Sequence, residues 1–185
     1  MAQHSSPTIT NFFNEARQII MTSLKDDDSQ IGGENIIVEI DESKFDKRKH
    51  NRGYHVEGVW IIGGVERTPE RKLFLKVIEK RDAETLLNFI NAHVKQGSII
   101  YTYGWRGYSM IKSLLNMQHG VVNHSLHFVN PENGHHTNTI EGTWSGVKRK
   151  IPVRNRTKKI TPHLFEFIWR RKYKNDLWNN FISLL

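Results

Sequence analysis

The chain has 185 residues, enough for one domain with a substantial core, and its 37% hydrophobic and 25% charged residues lie within the globular range. Its 27 Lys/Arg against 19 Asp/Glu give a net charge of +8, which points to an anionic partner, most simply nucleic acid. The absence of cysteine excludes a disulfide framework, thiolate zinc sites and a cysteine nucleophile, and no apolar run reaches the roughly 18 residues of a membrane span.

The N-terminal MAQHSSPTITNFF has neither the charged start nor the apolar core of a signal peptide, so an intracellular protein without membrane contact is expected. Residues 11–24 carry the apolar spacing of a helix at Phe12, Phe13, Ala16, Ile19 and Ile20. An acidic linker with Gly32-Gly33 follows. Residues 35–42 (NIIVEIDE) read as a strand rich in β-branched residues, 44–53 as a basic loop, and 54–65 and 72–79 as two further strands. The period then changes. Residues 82–95 read as an amphipathic helix with Asp82 as N-cap and Gly97 just past its end. A short strand at 98–103, a helix at 105–118 and an extended stretch at 120–129 come next. A turn-rich loop at 130–137 leads to a helix at 138–150, stopped by Pro152, and helices at 162–174 and 176–184 finish the chain. Three consecutive strands followed by alternating helix and strand predict an α/β fold: a ribonuclease H-like mixed sheet flanked by helices, with a helical C-terminal extension. The expected divisions are an N-terminal helix and linker over 1–30, a catalytic-type domain over 31–150 and a basic helical extension over 151–185.

The charge is unevenly spread. Residues 1–141 hold 16 Lys/Arg and 17 Asp/Glu, whereas 142–185 hold 11 Lys/Arg and only Glu166 and Asp176. Seven basic residues without an intervening acid, Lys148, Arg149, Lys150, Arg154, Arg156, Lys158 and Lys159, form one cluster. Lys47, Arg48 and Lys49, with Lys44 and Arg52, form another. Such clusters are either solvated surface, an import signal or a phosphate-contact surface, and the interleaved Trp144, Trp169, Tyr173 and Trp178 favour the last.

Two acids stand in positions that invite chemistry. Strand alternation puts Val38, Ile40 and Glu42 on one face and Glu39, Asp41 and Ser43 on the other. Asp41 therefore sits within an apolar run, where a carboxylate must be paired, metal-bound or at a strand end. Helical spacing puts Asn138, Glu141, Trp144 and Lys148 near one face, so Glu141 is either a surface acid or part of a site. His135 and His136 read as polar loop residues or metal ligands. No zinc spacing and no serine-nucleophile elbow is present.

Three blocks carry more information jointly: residues 31–67 (IGGENIIVEIDESKFDKRKHNRGYHVEGVWIIGGVER), residues 97–108 (GSIIYTYGWRGY) and residues 122–148 (VNHSLHFVNPENGHHTNTIEGTWSGVK). In this order and spacing they resemble the catalytic domain of Merlin-type DDE transposases and the related bacterial insertion-sequence transposases. The resemblance implies three acids on a ribonuclease H-like core that hold two Mg²⁺ or Mn²⁺ ions for DNA strand cleavage and transfer. Asp41 matches the first acid and Glu141 the third, with the family's basic residue at Lys148. The second acid's position, in an acid–any residue–tryptophan arrangement, holds Tyr103, while Trp105 and Tyr108 match. No Asp or Glu occurs between Glu84 and Glu132 to replace it. A tyrosine hydroxyl, neutral at pH 7, is a poor ligand for a hard divalent ion. The resemblance also implies a further N-terminal region where only about 30 residues precede the first block, so a shortened copy is expected. It leaves two readings: a metal-dependent DNA transposase, or a catalytically dead DNA-binding remnant. DNA, and a homo-oligomer of this chain, are the implied partners, and a nuclear location is implied if the host is eukaryotic.

Overall fold

A computed structural model describes residues 5–24, 30–45, 58–122 and 136–185. The basic residues Lys47, Arg48, Lys49 and Arg52, the stretch 123–129 and His135 lie outside them. Helix α1 (Ser6–Ser23) starts five residues earlier than its apolar spacing suggests, because Ser5 accepts from the Thr8 amide and Pro7 fits the first turn. Strands β1 (Ile37–Phe45), β2 (Val59–Glu66) and β3 (Leu73–Ile78) form an antiparallel meander. Helix α2 (Ala83–His93), capped by the Asp82 side chain on the Thr85 amide, crosses to β4 (Ile99–Tyr103), which lies parallel to β1. Strand β5 (Gln118–Val122) pairs in parallel with β4. The sheet order is β3-β2-β1-β4-β5, with β1 at the centre. This mixed sheet with helices on both faces is the ribonuclease H-like arrangement expected from the element order.

One expected helix is broken. Residues 105–118 form a short turn at Arg106–Tyr108, then α3 (Ile111–Leu115), and β5 already begins at Gln118. The Trp105 ring folds back so closely over Gly107 that a Cβ there would stand 1.9 Å from it. Asn116 then ends α3 in the left-handed region, at φ 52°.

Helix α4 (Asn138–Lys150), α5 (Thr161–Lys172) and α6 (Leu177–Ile182) complete the chain. The two sheet faces bury separate cores. Val38, Ile40, Ile62, Phe74 and Ile100 meet α2 and α3 through Leu86, Ile90 and Ile111. Phe45, Ile61, Val65 and Leu75 meet α4 and α5 through Ile140, Trp144, Val147 and Leu164. Helix α1 packs on α5, where Arg17 pairs with Glu166 at 2.8 Å. Among the described residues no helix is long and apolar enough to cross a membrane.

Candidate active site

The central strand carries three acids, and strand alternation sends them to different sides as the sequence predicts. Glu39 and Asp41 face α4, while Glu42 faces the α2 core.

Among the described residues Asp41 is held by one side chain, with the Glu42 backbone amide as a second donor. The Trp144 indole Nε1–H donates to its Oδ2 at 2.9 Å. Trp144 can reach this point because β2 presents Gly63 directly opposite Asp41 in the ladder. A Cβ at Gly63 would lie 2.8 Å from the Trp144 ring and 2.9 Å from Leu75, so only glycine leaves room. Burial pushes the Asp41 carboxyl up to about 7, the charges of Glu42 and Glu141 push the same way, and the Trp144 bond opposes them. The charge of Glu141, in the first turn of α4, is the smallest of the influences on Asp41. The Thr137 hydroxyl reaches Glu141 at 3.4 Å, and the carboxylate is solvent-facing. Lys148, two turns on, lies over the Phe45 ring at 5.4 Å. The spacing argument for one shared helix face therefore agrees with the placement of Glu141, Trp144 and Lys148.

Glu39 anchors the start of α4. Its Oε2 accepts from the Ile140 amide at 2.9 Å, and Arg67 binds its other oxygen at 2.5 Å. Arg67 also donates to the His136 carbonyl and stacks on Tyr101. His136 Nδ1 lies 3.5 Å from Glu39, so this histidine borders the anchor of α4.

Glu42 is the most heavily bonded of the three. Arg81 binds Oε1 at 2.7 Å, Tyr103 donates to the same oxygen at 3.1 Å, and Tyr108 donates to Oε2. Arg81 donates to the Tyr103 hydroxyl as well and is stacked between Trp60 and Trp105. Burial and the Glu42 charge raise the Tyr103 phenol far above its ordinary value, so it is a neutral donor at any physiological pH. The sequence argument missed Glu39, Glu42, Arg67 and Arg81. A signal was present for Glu42: it shares a strand face with Val38 and Ile40, and an acid there needs buried donors.

A two-metal centre needs hard oxygen ligands shared between two ions about 3.5–4 Å apart. Among the described residues no three His, Asp or Glu come together in a way that could hold a metal ion. The charges of Asp41 and Glu141 interact, and the Tyr103 hydroxyl is engaged by Glu42 and Arg81. The described residues by themselves do not make up a two-metal site.

The basic residues named from the sequence divide by role. Lys148, Arg149, Lys150, Arg154, Lys158 and Lys159 are exposed. Arg156 is tied inward: it donates to the Ile151 carbonyl at 3.1 Å and the Lys148 carbonyl at 2.6 Å, closing the end of α4, and lies over Phe45.

A chain of the solved simian T-cell lymphotropic virus intasome in complex with PP2A regulatory subunit B56 gamma is similar at 14% identity, covering 84% of this chain and 49% of that one, with a TM-score of 0.36. An uncharacterized transposase-like protein of Haemophilus influenzae is 32% identical over 116 residues, which is 62% of this chain and 90% of that protein. The ISXO2-like transposase domain matches residues 24–172, from the end of α1 to the last residue of α5. With four-fifths of its length matched, including all five strands and the Asp41–Trp144 contact, this chain belongs to the ISXO2-like transposase domain family.

Proposed function

We propose that this chain is a DNA-binding transposase-family protein of the DDE class, with Merlin-type affinity, whose strand-cleaving centre is incomplete. The observation that carries the reading is Tyr103. Strands β1 and β4 are parallel neighbours paired as far as Glu39 and Tyr101, and Asp41 and Tyr103 each lie two residues beyond that last pair, with the Tyr103 hydroxyl turned to Glu42. This supports residue 103 as the second acid's position, and Asp41 and Glu141 as the remaining two. With a neutral phenol there, the Mg²⁺ or Mn²⁺ pair expected of the class lacks its shared ligand. The chain retains the means to bind DNA: the exposed basic residues of 148–159 fit phosphates, and Lys47, Arg48 and Lys49 belong to the same proposal. A homo-oligomer and an intracellular location, nuclear in a eukaryotic host, complete it, with sedimentation as the check on assembly.

The competing reading, an active metal-dependent transposase, draws on the proximity of Asp41 and Glu141. A nicking assay on supercoiled DNA with Mn²⁺, beside an Asp41→Ala control, separates the two. Salt-sensitive binding without cleavage is the expected result. Metal-dependent nicking lost in Asp41→Ala would overturn it. Tyr103→Asp tests the assignment of the position itself. Mn²⁺ should raise the melting temperature of Tyr103→Asp more than that of the parent, since metal at 100 times its Kd adds about 2.7 kcal/mol. Equal shifts would remove residue 103 from the site.

A further inference from the structure

The sequence assigns DNA contact to two linear clusters of basic residues, 44–52 and 148–159. The fold builds a further basic feature that neither run reveals. Helices α4 and α5 enclose a groove of about 860 Å³ on the side of α4 turned away from Trp144 and the sheet. Five basic side chains line it, Arg71, Arg149, Lys150, Arg170 and Arg171, from three separate parts of the chain. Among the described residues Glu166 is the only acid in the lining, and it is already bound at 2.8 Å by both Arg17 and Arg170.

Two features show that the groove is more than a chance gathering of charge. Arg171 is half-buried in it, donates to the Thr143 hydroxyl at 3.2 Å and feels the like charge of Arg71. Burial and that repulsion both push the Arg171 guanidinium down from its ordinary value, so the groove holds two cations close enough to repel. The floor supplies the second feature. Gly142 lies inside α4, where glycine weakens a helix relative to alanine. A Cβ at Gly142 would meet nothing within 4 Å, so packing within the chain does not demand the glycine. A stretch of bare helix backbone in a groove lined by several arginines suits a ligand that approaches closely and carries repeated negative charge.

We propose that the α4–α5 groove binds one phosphate backbone of a nucleic-acid duplex, with Arg71 and Arg171 clamping phosphates over Gly142. The inference rests on the DNA-binding reading above and adds to it a contact surface distinct from Arg154, Lys158 and Lys159. Arg71 is set at the groove's rim by a tight turn, its amide donating to the Thr68 carbonyl at 3.1 Å. Arg149 and Lys150, in the last turn of α4, extend the positive surface towards the 154–159 segment. A bound strand would then run from the groove onto that segment.

The test is fluorescence anisotropy of a labelled duplex of about 30 base pairs against the full chain, over a range of salt concentrations. Each phosphate contact contributes about −0.9 to the slope of log K against log salt. The variant R71Q/R171Q should shallow the slope by about 1.8 and weaken binding on the order of 50-fold at 0.1 M salt. Because Arg171 also bonds Thr143, a second variant guards against misfolding. Gly142→Glu adds a side chain in open space, so it should leave the melting temperature undiminished while weakening binding and lowering the apparent charge of the groove. Unchanged affinity and slope in both variants would overturn the groove while leaving DNA binding intact. A parent chain that binds no duplex would overturn the DNA-binding reading itself. Reduced affinity in R154Q/K158Q/K159Q together with full affinity in Gly142→Glu would place the whole interaction on the linear segment and sink the groove proposal.

Discussion

Asp41 and Glu42 are adjacent in one strand, yet they live under opposite physical regimes. Glu42 is buried against the α2 core and accepts from Arg81, Tyr103 and Tyr108. Asp41 faces α4, receives one indole N–H, and has its carboxyl pushed up to about 7. Both carboxylates are removed from bulk water, but only one is compensated. A fully compensated acid holds a fold together, while an under-compensated one remains responsive to protons and cations. The contrast sets a tightly bonded acid beside one that stays responsive to protons on the same strand.

The contrast can be broken most severely at Glu42. Glu42→Ala leaves an arginine and two hydroxyls without their acceptor, and should cost about 3–5 kcal/mol in urea denaturation. A loss below about 1 kcal/mol would mean that water replaces the carboxylate freely. At Asp41 the sign reverses. Its folded pKa lies above its unfolded value, so its contribution is fully favourable below about pH 4 and is lost as pH rises through about 7. Asp41→Asn should therefore stabilise the protein by about 2–4 kcal/mol at pH 8 and much less at pH 4, discounted for partial exposure. An equal gain at both pH values would show that Asp41 titrates normally.

A smaller effect should follow from Gly63→Ala. Its methyl group must displace Trp144 or Leu75, at about 1–3 kcal/mol, and the pH midpoint of Asp41 should rise as the indole bond lengthens. A rise in melting temperature would mean that the ladder opposite Asp41 has slack. Tyr103→Phe is the mildest change, about 1 kcal/mol, since Arg81 and Tyr108 still hold Glu42. A loss comparable to that of Glu42→Ala would make Tyr103 the keystone of the cluster and would show that the tyrosine serves stability.

Much of this arrangement could be read from the chain. Period-two and period-3.6 patterns located the first four described strands and the long helices, and alternation assigned Glu39 and Asp41 to one face and Glu42 to the other, while β5 reads only as an extended stretch beginning two residues late. Asp82 announced its cap through its place before an apolar run. Residues 105–118 misled because Met110, Ile111, Leu114 and Leu115 keep helical spacing while Trp105, packed over Gly107, forces a turn that spacing does not encode. The Glu42 cluster was hidden for a different reason. Its members are far apart in sequence, and no local pattern ties an arginine after β3 to a carboxylate in β1. The basic run 148–159 was visible as charge, but only the fold shows that Arg156 is occupied with helix carbonyls. Arg71 and Arg171 come together only because α5 packs beside β3 and α4.

The Glu42 cluster also sets an order of events. Its hydroxyl from Tyr108 comes from 66 residues away along the chain, and Arg81 and Tyr103 arrive on two other segments. The meander β1-β2-β3 can collapse early from nearby residues, but the carboxylate stays hydrated until α2 has crossed over and β4 has docked. On loop-closure grounds, closure of the cluster is expected to follow the folding barrier, and a chevron of Tyr103→Phe with its loss confined to the unfolding limb would bear this out. Weakening it should speed unfolding far more than it slows folding. The polar knot at the centre of the sheet acts as a latch on the finished molecule, governing how long the native state lasts once it has formed.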